Sequence, residues 1–276
     1  MPDITVAPMA TTRPNARHRL LLLLKAGRPR QWSKNLLTFL AATLAGAGLS
    51  DAVKATVAMT AAAVAVYLYN DVRDRDEDRR DPAKARRPIA SGALPVADAA
   101  AASAVLAIAA LVAAGPGRIA VGAYLIVNAV YSFGAKKLPF IEAILVGASF
   151  PLRALTGAAH GQDEPAVLLL ASIWLAAIGV IAAKRQGELH ERHDARNVNR
   201  HYTPRMLSVV RATSFVTATA LTGVTSGPLA ATGMALAFAR LHQKAGRGQT
   251  ARPDEIALKD PLTLVGAALW AAGLLL

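Results

Sequence analysis

Nine apolar stretches, at about residues 36–50, 52–70, 93–114, 118–134, 138–160, 166–183, 206–225, 227–241 and 260–276, dominate this chain and lack the polar faces of a water-soluble bundle. A helix needs about 20 apolar residues to cross a bilayer core. With short loops, 276 residues suffice for about eight to ten such helices. Helices satisfy every backbone N–H and C=O within their own segment, so open strands are excluded in lipid. The stretches are rich in Ala, Gly, Ser and Thr, the residues that let helices approach closely there. The expected fold is therefore all-α, a polytopic membrane helical bundle of about nine transmembrane helices. Only 18% of residues are charged and mean hydropathy is +0.34, against about 25% charged in soluble domains. The chain has no cysteine, which rules out disulfides, thiolate zinc sites and a cysteine nucleophile. Residues 1–19 read as a mobile basic tail and 20–276 as the transmembrane domain. The Leu20–Leu24 run is cut short by Lys25 and Arg28, so it does not read as a signal peptide.

The positive charges are distributed unevenly. Seven Lys/Arg lie before residue 35, seven in 71–92, Lys136 and Lys137 in the next alternate loop, six in 184–205 and five in 240–259. The intervening loops hold little beyond Lys54 and Arg118. With nine spans every basic loop falls on one side, which the positive-inside rule makes the cytoplasm. The N-terminus and the basic loops, which include residues 71–92, are then cytoplasmic and the C-terminus external, in a multi-pass protein of the plasma membrane. The net charge of +13 is thereby explained by topology and anionic headgroups, with no nucleic acid as partner.

Residues 70–79, Asn-Asp-Val-Arg-Asp-Arg-Asp-Glu-Asp-Arg, carry the clearest chemistry. At about 100° per residue, Asp71, Asp74 and Asp78 share one helix face with Asn70 beside them. Like charges so spaced repel unless a cation compensates. Oxygen ligands at the cytoplasmic end of a membrane helix suit Mg²⁺ bridging to a diphosphate, whose charge the metal neutralises as it leaves. Asp76 and Glu77 fall on other faces, as partners for Arg73 and Arg80. The alternative is a solvated charge run paired with its own arginines. Lys84, Arg86 and Arg87 follow one short loop later, and a carboxylate–metal site beside a basic cluster is what a polyphosphate substrate requires.

Other polar positions lie at the same level. Residues 28–35, Arg-Pro-Arg-Gln-Trp-Ser-Lys-Asn, enter the first span, with Trp32 as an interfacial anchor and Lys34 and Asn35 either facing the acidic cluster or snorkelling. Tyr131, Lys136 and Lys137 offer a second phosphate contact. Glu142 and Arg153 are ionisable residues inside a span and hence candidates for function. At eleven residues apart they share a face without reaching each other. Lys184, Arg185 and Glu188 open another cytoplasmic loop, Lys184 and Glu188 as an i,i+4 pair. His190, His193 and His201 lack the spacing of a zinc helix and read as surface histidines.

The chain resembles the UbiA-type intramembrane transferase superfamily, whose Asn-Asp-x-x-Asp-x-x-x-Asp signature matches Asn70, Asp71, Asp74 and Asp78. Within it the chain is most similar to the decaprenyl-phosphate phosphoribosyltransferase branch. The marks are the 28–35 motif, Arg-Pro-Ile-Ala-x-Gly at 87–92, Tyr131-Ser132 with Lys136, Phe150 to Arg153, Lys184-Arg185-x-Gly-Glu188, Tyr202-Thr203-Pro204, and Pro253-Asp-Glu leading to Asp260. Glu142, where that pattern has Asp, and Pro151 depart from it. The resemblance implies a nine-helix bundle whose polar cavity faces the cytoplasm and opens sideways to lipid. It implies Mg²⁺ as cofactor, phosphoribosyl diphosphate (PRPP) as donor and a polyprenyl phosphate as acceptor. The product would be a lipid-linked phosphoribose for cell-wall arabinose donors. Asp71, Asp74 and Asp78 would hold the metal as the catalytic group, Asn70 would orient the diphosphate, and Lys34, Arg86, Arg87 and Lys136 would bind phosphates. Tyr131, Glu142, Arg153, Lys184 and Arg185 complete the expected substrate-binding set. A homo-oligomer is compatible with this reading. The alternatives are a prenyltransferase or terpene cyclase using an isoprenoid diphosphate, phosphoribosyl transfer to a soluble acceptor, and a transporter. The last predicts repeats or interrupted helices in matching halves, which the sequence does not display.

Overall fold

The structure, a computed structural model, describes residues 15–191 and 197–276. All regular structure among them is helical: α1 (Ala16–Ala26), a 3-10 segment (Pro29–Asn35), α2 (Leu36–Leu44), α3 (Leu49–Arg73), α4 (Arg75–Arg80), α5 (Val96–Ala113), α6 (Arg118–Phe133), α7 (Ile141–Ala158), α8 (Val167–His190), α9 (Pro204–Gly246), α10 (Pro253–Lys259) and α11 (Pro261–Leu275). Each of the nine apolar stretches falls on its own helical segment, with α9 supplying two. Thr203 caps the start of α9 by accepting from the Met206 amide, with Pro204 at the first helical position, where its missing N–H costs nothing. Asp260 caps α11 in the same way through Thr263.

The 43 residues of α9 form two arms rather than one rod. Phe215 stacks on Phe238 at 4.0 Å, Arg211 Nε donates to His242 Nδ1 at 3.2 Å and Thr222 Oγ1 reaches Met234 Sδ at 3.3 Å. Contacts in that order require the chain to reverse between them. It does so at Gly227 (φ 80, ψ 178), a conformation that glycine adopts without the Cβ penalty, and Pro228 starts the second arm.

Among the described residues, five helices are long and apolar enough to cross a membrane: α3, α5, α7, α8 and α9. The pair α10 and α11, bent by 79°, makes a sixth as one broken span. By this measure the count of nine crossings expected from the sequence is not reached. The nine residues of α2 and sixteen of α6 are short for a span, and the two arms of α9 are one helix in this count. The outer surface is apolar, with Val112, Ile119, Val167 and Val224 all more than three-quarters exposed, as lipid and not water demands.

Small residues set the helix spacing. A Cβ on Gly157 of α7 would stand 1.9 Å from the Thr38 carbonyl oxygen of α2. On α11, a Cβ on Gly266 or Gly273 would stand 2.7 Å or 2.3 Å from backbone nitrogens of the second arm of α9. Gly157→Ala is therefore expected to force α2 and α7 apart and lower stability by about 1–3 kcal/mol. Thermal unfolding in detergent measures it, and an unchanged midpoint would mean the two backbones do not touch. This packing brings the 3-10 segment, the α3–α4 joint and the start of α10 to one polar end of the bundle.

Candidate active site

The acidic run does not form one continuous helix face as expected. Helix α3 stops at Arg73, Asp74 is the joint (φ −94, ψ 4) and α4 begins at Arg75. Nine consecutive charged residues, 73–81, bury no apolar face that would hold one straight helix, so cationic partners fix the geometry instead. Arg87 Nη1 donates to Asp71 Oδ1 at 3.1 Å and to Asp78 Oδ2 at 2.6 Å. Arg28 donates to the same Asp71 oxygen. Lys84 Nζ lies 2.8 Å from Asp81 and 3.8 Å from Asp78. Asp74 turns the other way and pairs with Lys136. Asn70 accepts a hydrogen bond from Ser132, which ties α3 to α6. Asp71 and Asp78 are buried and Asp74 is partly open. The loop bearing Arg87 is pinned by Arg79 Nε on the Ala90 carbonyl at 2.7 Å, and Ile89 and Leu94 pack in the core with Leu68.

Among the described residues no three His, Cys, Asp or Glu side chains converge to ligate one ion. The acidic trio is divided between Arg87 and Lys136. Its donor set nevertheless fits a hard divalent ion, because all the donors are oxygens. Two buried carboxylates from α3 and α4 also meet at one cationic nitrogen, where a metal ion would satisfy the same negative charge.

The 28–35 motif is the hub of this end of the molecule. Arg28 takes a left-handed conformation (φ 53), unusual for a residue with a Cβ and typical of functional sites. Polar side chains of the 3-10 segment then tie it to several elements. Gln31 Nε2 donates to Asp254 of α10 at 3.2 Å, and Lys34 donates to Gln31. Trp32 Nε1 donates to the Gly27 carbonyl at 2.8 Å. Asn35, buried, donates to Thr60 at 3.0 Å and accepts from Arg153 at 3.0 Å. Burial first, then the Arg153 guanidinium, with Lys184 and Arg28 beyond, pushes the Lys34 ammonium down to about 8 against the pull of Asp254.

The intramembrane pair of the sequence reading divides between separate partners. Glu142, fully buried, is gripped by Arg185 through Nε at 2.7 Å and through Nη2, while Arg185 Nη1 reaches Glu188 at 2.6 Å. Asn199 donates to Glu188 at 3.3 Å, and Tyr202 accepts from the Phe140 amide at 2.8 Å beside Glu142. Arg153 donates to Asn35, to Ser149 at 2.7 and 3.0 Å and to Tyr124 at 3.0 Å. Glu142, Arg153 and Arg185 thus have their hydrogen bonds taken up by the protein and frame the site. Lys184 lies 3.9 Å from Glu188, the i,i+4 pair expected. Tyr131 is half-buried and Arg86 exposed. His190 bonds the Gln186 carbonyl, His201 is exposed, and His193 lies outside the described residues. Arg28, Gln31 and Asp254 are absent from the expected set. They sit in segments that the resemblance marked, but their convergence is visible only once the 3-10 segment meets α3 and α10.

Comparison with known proteins agrees with this architecture. The profile of the UbiA prenyltransferase family matches residues 35–256. The chain is 34% identical to the decaprenyl-phosphate phosphoribosyltransferase of Corynebacterium glutamicum, over 90% of this chain and 84% of that protein. It is 32% identical to the protein of the same name from Mycobacterium tuberculosis, over 91% and 92%. The fold matches that of a UbiA homolog from Archaeoglobus fulgidus bound to DMAPP and Mg²⁺, with a TM-score of 0.72 and 17% identity, over 91% of this chain and 97% of that one. A family match spanning most of the bundle, and relatives aligned along nearly their full length, establish that the chain belongs to the UbiA prenyltransferase family.

Proposed function

We propose that this protein transfers the 5-phosphoribosyl group of PRPP to a polyprenyl phosphate, with Mg²⁺ as cofactor. The observation that carries the reading is the buried Asp71–Arg87–Asp78 cluster ringed by Arg28, Lys84 and Lys136, in a chain whose curated relatives are named for that transfer. Mg²⁺ held by Asp71 and Asp78, with Asp74 joining them once released from Lys136, would neutralise charge on the departing diphosphate. Arg28 and Arg87, released from the carboxylates, turn to the diphosphate oxygens, and Asn70 orients them. Lys136 and Lys34 hold further phosphate charge. The C1–O bond to diphosphate breaks with its electron pair on the leaving oxygen, while a lipid phosphate oxygen forms the new C1–O bond. The acceptor phosphate is already anionic, so no general base is required, and positioning and charge placement supply the catalysis. The basic end of the bundle is cytoplasmic in this reading, and the product is a precursor of arabinose donors for the cell wall. Ribose-labelled PRPP, incubated with the protein, Mg²⁺ and a polyprenyl phosphate, is expected to send label into the lipid extract, and chelation to stop it. Label that stays in the aqueous phase would refute the reading.

Because Lys34 loses its proton near pH 8, its attraction for phosphate is complete below that pH and is lost above it. PRPP affinity is expected to fall by up to about tenfold per pH unit above the Lys34 transition. In Lys34→Arg the charge persists and the fall should vanish. The same decline in both proteins would assign it to another group.

A further inference from the structure

We propose that Lys34, Gln31 and Asp254 form the far end of the donor site, where Lys34 takes the 5-phosphate of PRPP and Asp254 with Gln31 binds the ribose hydroxyls. The inference rests on the donor reading above and gives it a specificity determinant. Side chains three residues apart eclipse on a 3-10 helix, and the Gln31 amide donates to the Arg28 carbonyl at 2.8 Å as that geometry requires. Gln31 and Lys34 therefore stand on one side of the segment, about 6 Å apart at about 2.0 Å per residue, and Lys34 donates to Gln31. Arg28 precedes the segment and bonds Asp71, on the carboxylate side where diphosphate and metal belong. Gln31 bonds Asp254. A cation on either side, Arg28 and Lys34, thus flanks a carboxylate and an amide.

A prenyl diphosphate has one anionic end and an apolar chain, which gains nothing from Asp254 or a second cationic zone. PRPP carries phosphate at both ends of a sugar whose vicinal hydroxyls donate hydrogen bonds. A carboxylate accepts such bonds well, and the Gln31 amide both donates and accepts. Asp254 is half-buried in the first turn of α10, so the last polar segment of the chain closes the donor site against the first.

The test is calorimetric titration of the detergent-solubilised protein with PRPP and, separately, with inorganic diphosphate, both with Mg²⁺. Lys34→Met is expected to weaken PRPP binding about 100-fold through the lost charge-assisted contacts. Asp254→Asn should weaken it about tenfold. Both variants should bind diphosphate within about twofold of the unsubstituted chain, since that ligand is held on the Arg28–Asp71 side and touches neither residue, and this unchanged binding also shows that they are folded. Ribose 5-phosphate, which lacks the diphosphate, should bind the unsubstituted chain and not Lys34→Met. Equal losses for PRPP and diphosphate would overturn the subsite while leaving PRPP as donor. An unsubstituted chain that binds diphosphate but not PRPP would overturn the donor reading and the subsite together.

Discussion

Asp71→Asn is expected to reduce phosphoribosyl transfer by about a thousandfold or more while the bundle stays folded. The substitution keeps the shape of the side chain and removes the charge on which Arg28 and Arg87 converge. It takes away a metal ligand and a fixed partner of two diphosphate-binding arginines in one step. Breaking a fully buried ion pair costs about 3–5 kcal/mol. Arg28 and Arg87 keep 31% of their side-chain surface in solvent, so water compensates them in part and the stability loss is smaller. Transfer assays and thermal unfolding on one preparation separate the two effects. A variant that keeps more than about a tenth of the rate would remove Asp71 from the reacting centre.

Arg185→Met should show the reverse pattern, a large loss of stability of about 3–5 kcal/mol. Arg185 holds Glu142, which has no exposed surface, and Glu188 besides. Without the guanidinium, two carboxylates face each other in a low-dielectric interior, and α7 separates from α8. Glu142→Gln is expected to cost less, because Arg185 keeps Glu188 at 2.6 Å. Unfolding midpoints in detergent should follow the order unsubstituted, Glu142→Gln, Arg185→Met. The opposite order of the two variants would contradict the network.

The positions of the helical segments were legible in the sequence because lipid forces apolar runs to be helical, and each of the nine runs lies on its own segment. The number of full crossings was less legible. Hydropathy marks where a helix is apolar, whereas span length depends on tilt and on reversals such as Gly227. Asp71, Asp78 and Arg87, expected as site residues, do come together, since short-range spacing and one following loop join them, whereas the single helix face expected with Asp74 is broken at that residue. The fate of Glu142 and Arg153 was hidden: their shared face on α7 was readable, but their partners, Arg185 and Asn35, come from distant segments. Asp254 was hidden for the same reason. The Pro253-Asp-Glu segment was marked by the resemblance, but its role carries no signal until the fold sets Asp254 3.2 Å from Gln31.

The most direct test of the donor assignment is a comparison of two donors on one preparation. The purified protein, with Mg²⁺ and a polyprenyl phosphate, would receive PRPP or geranylgeranyl diphosphate at equal concentration, and diphosphate release would be followed. The account predicts acceptor-dependent release from PRPP and none above background from the prenyl donor. Turnover of geranylgeranyl diphosphate with PRPP inert would leave the fold and the carboxylate cluster standing and contradict the phosphoribosyl assignment.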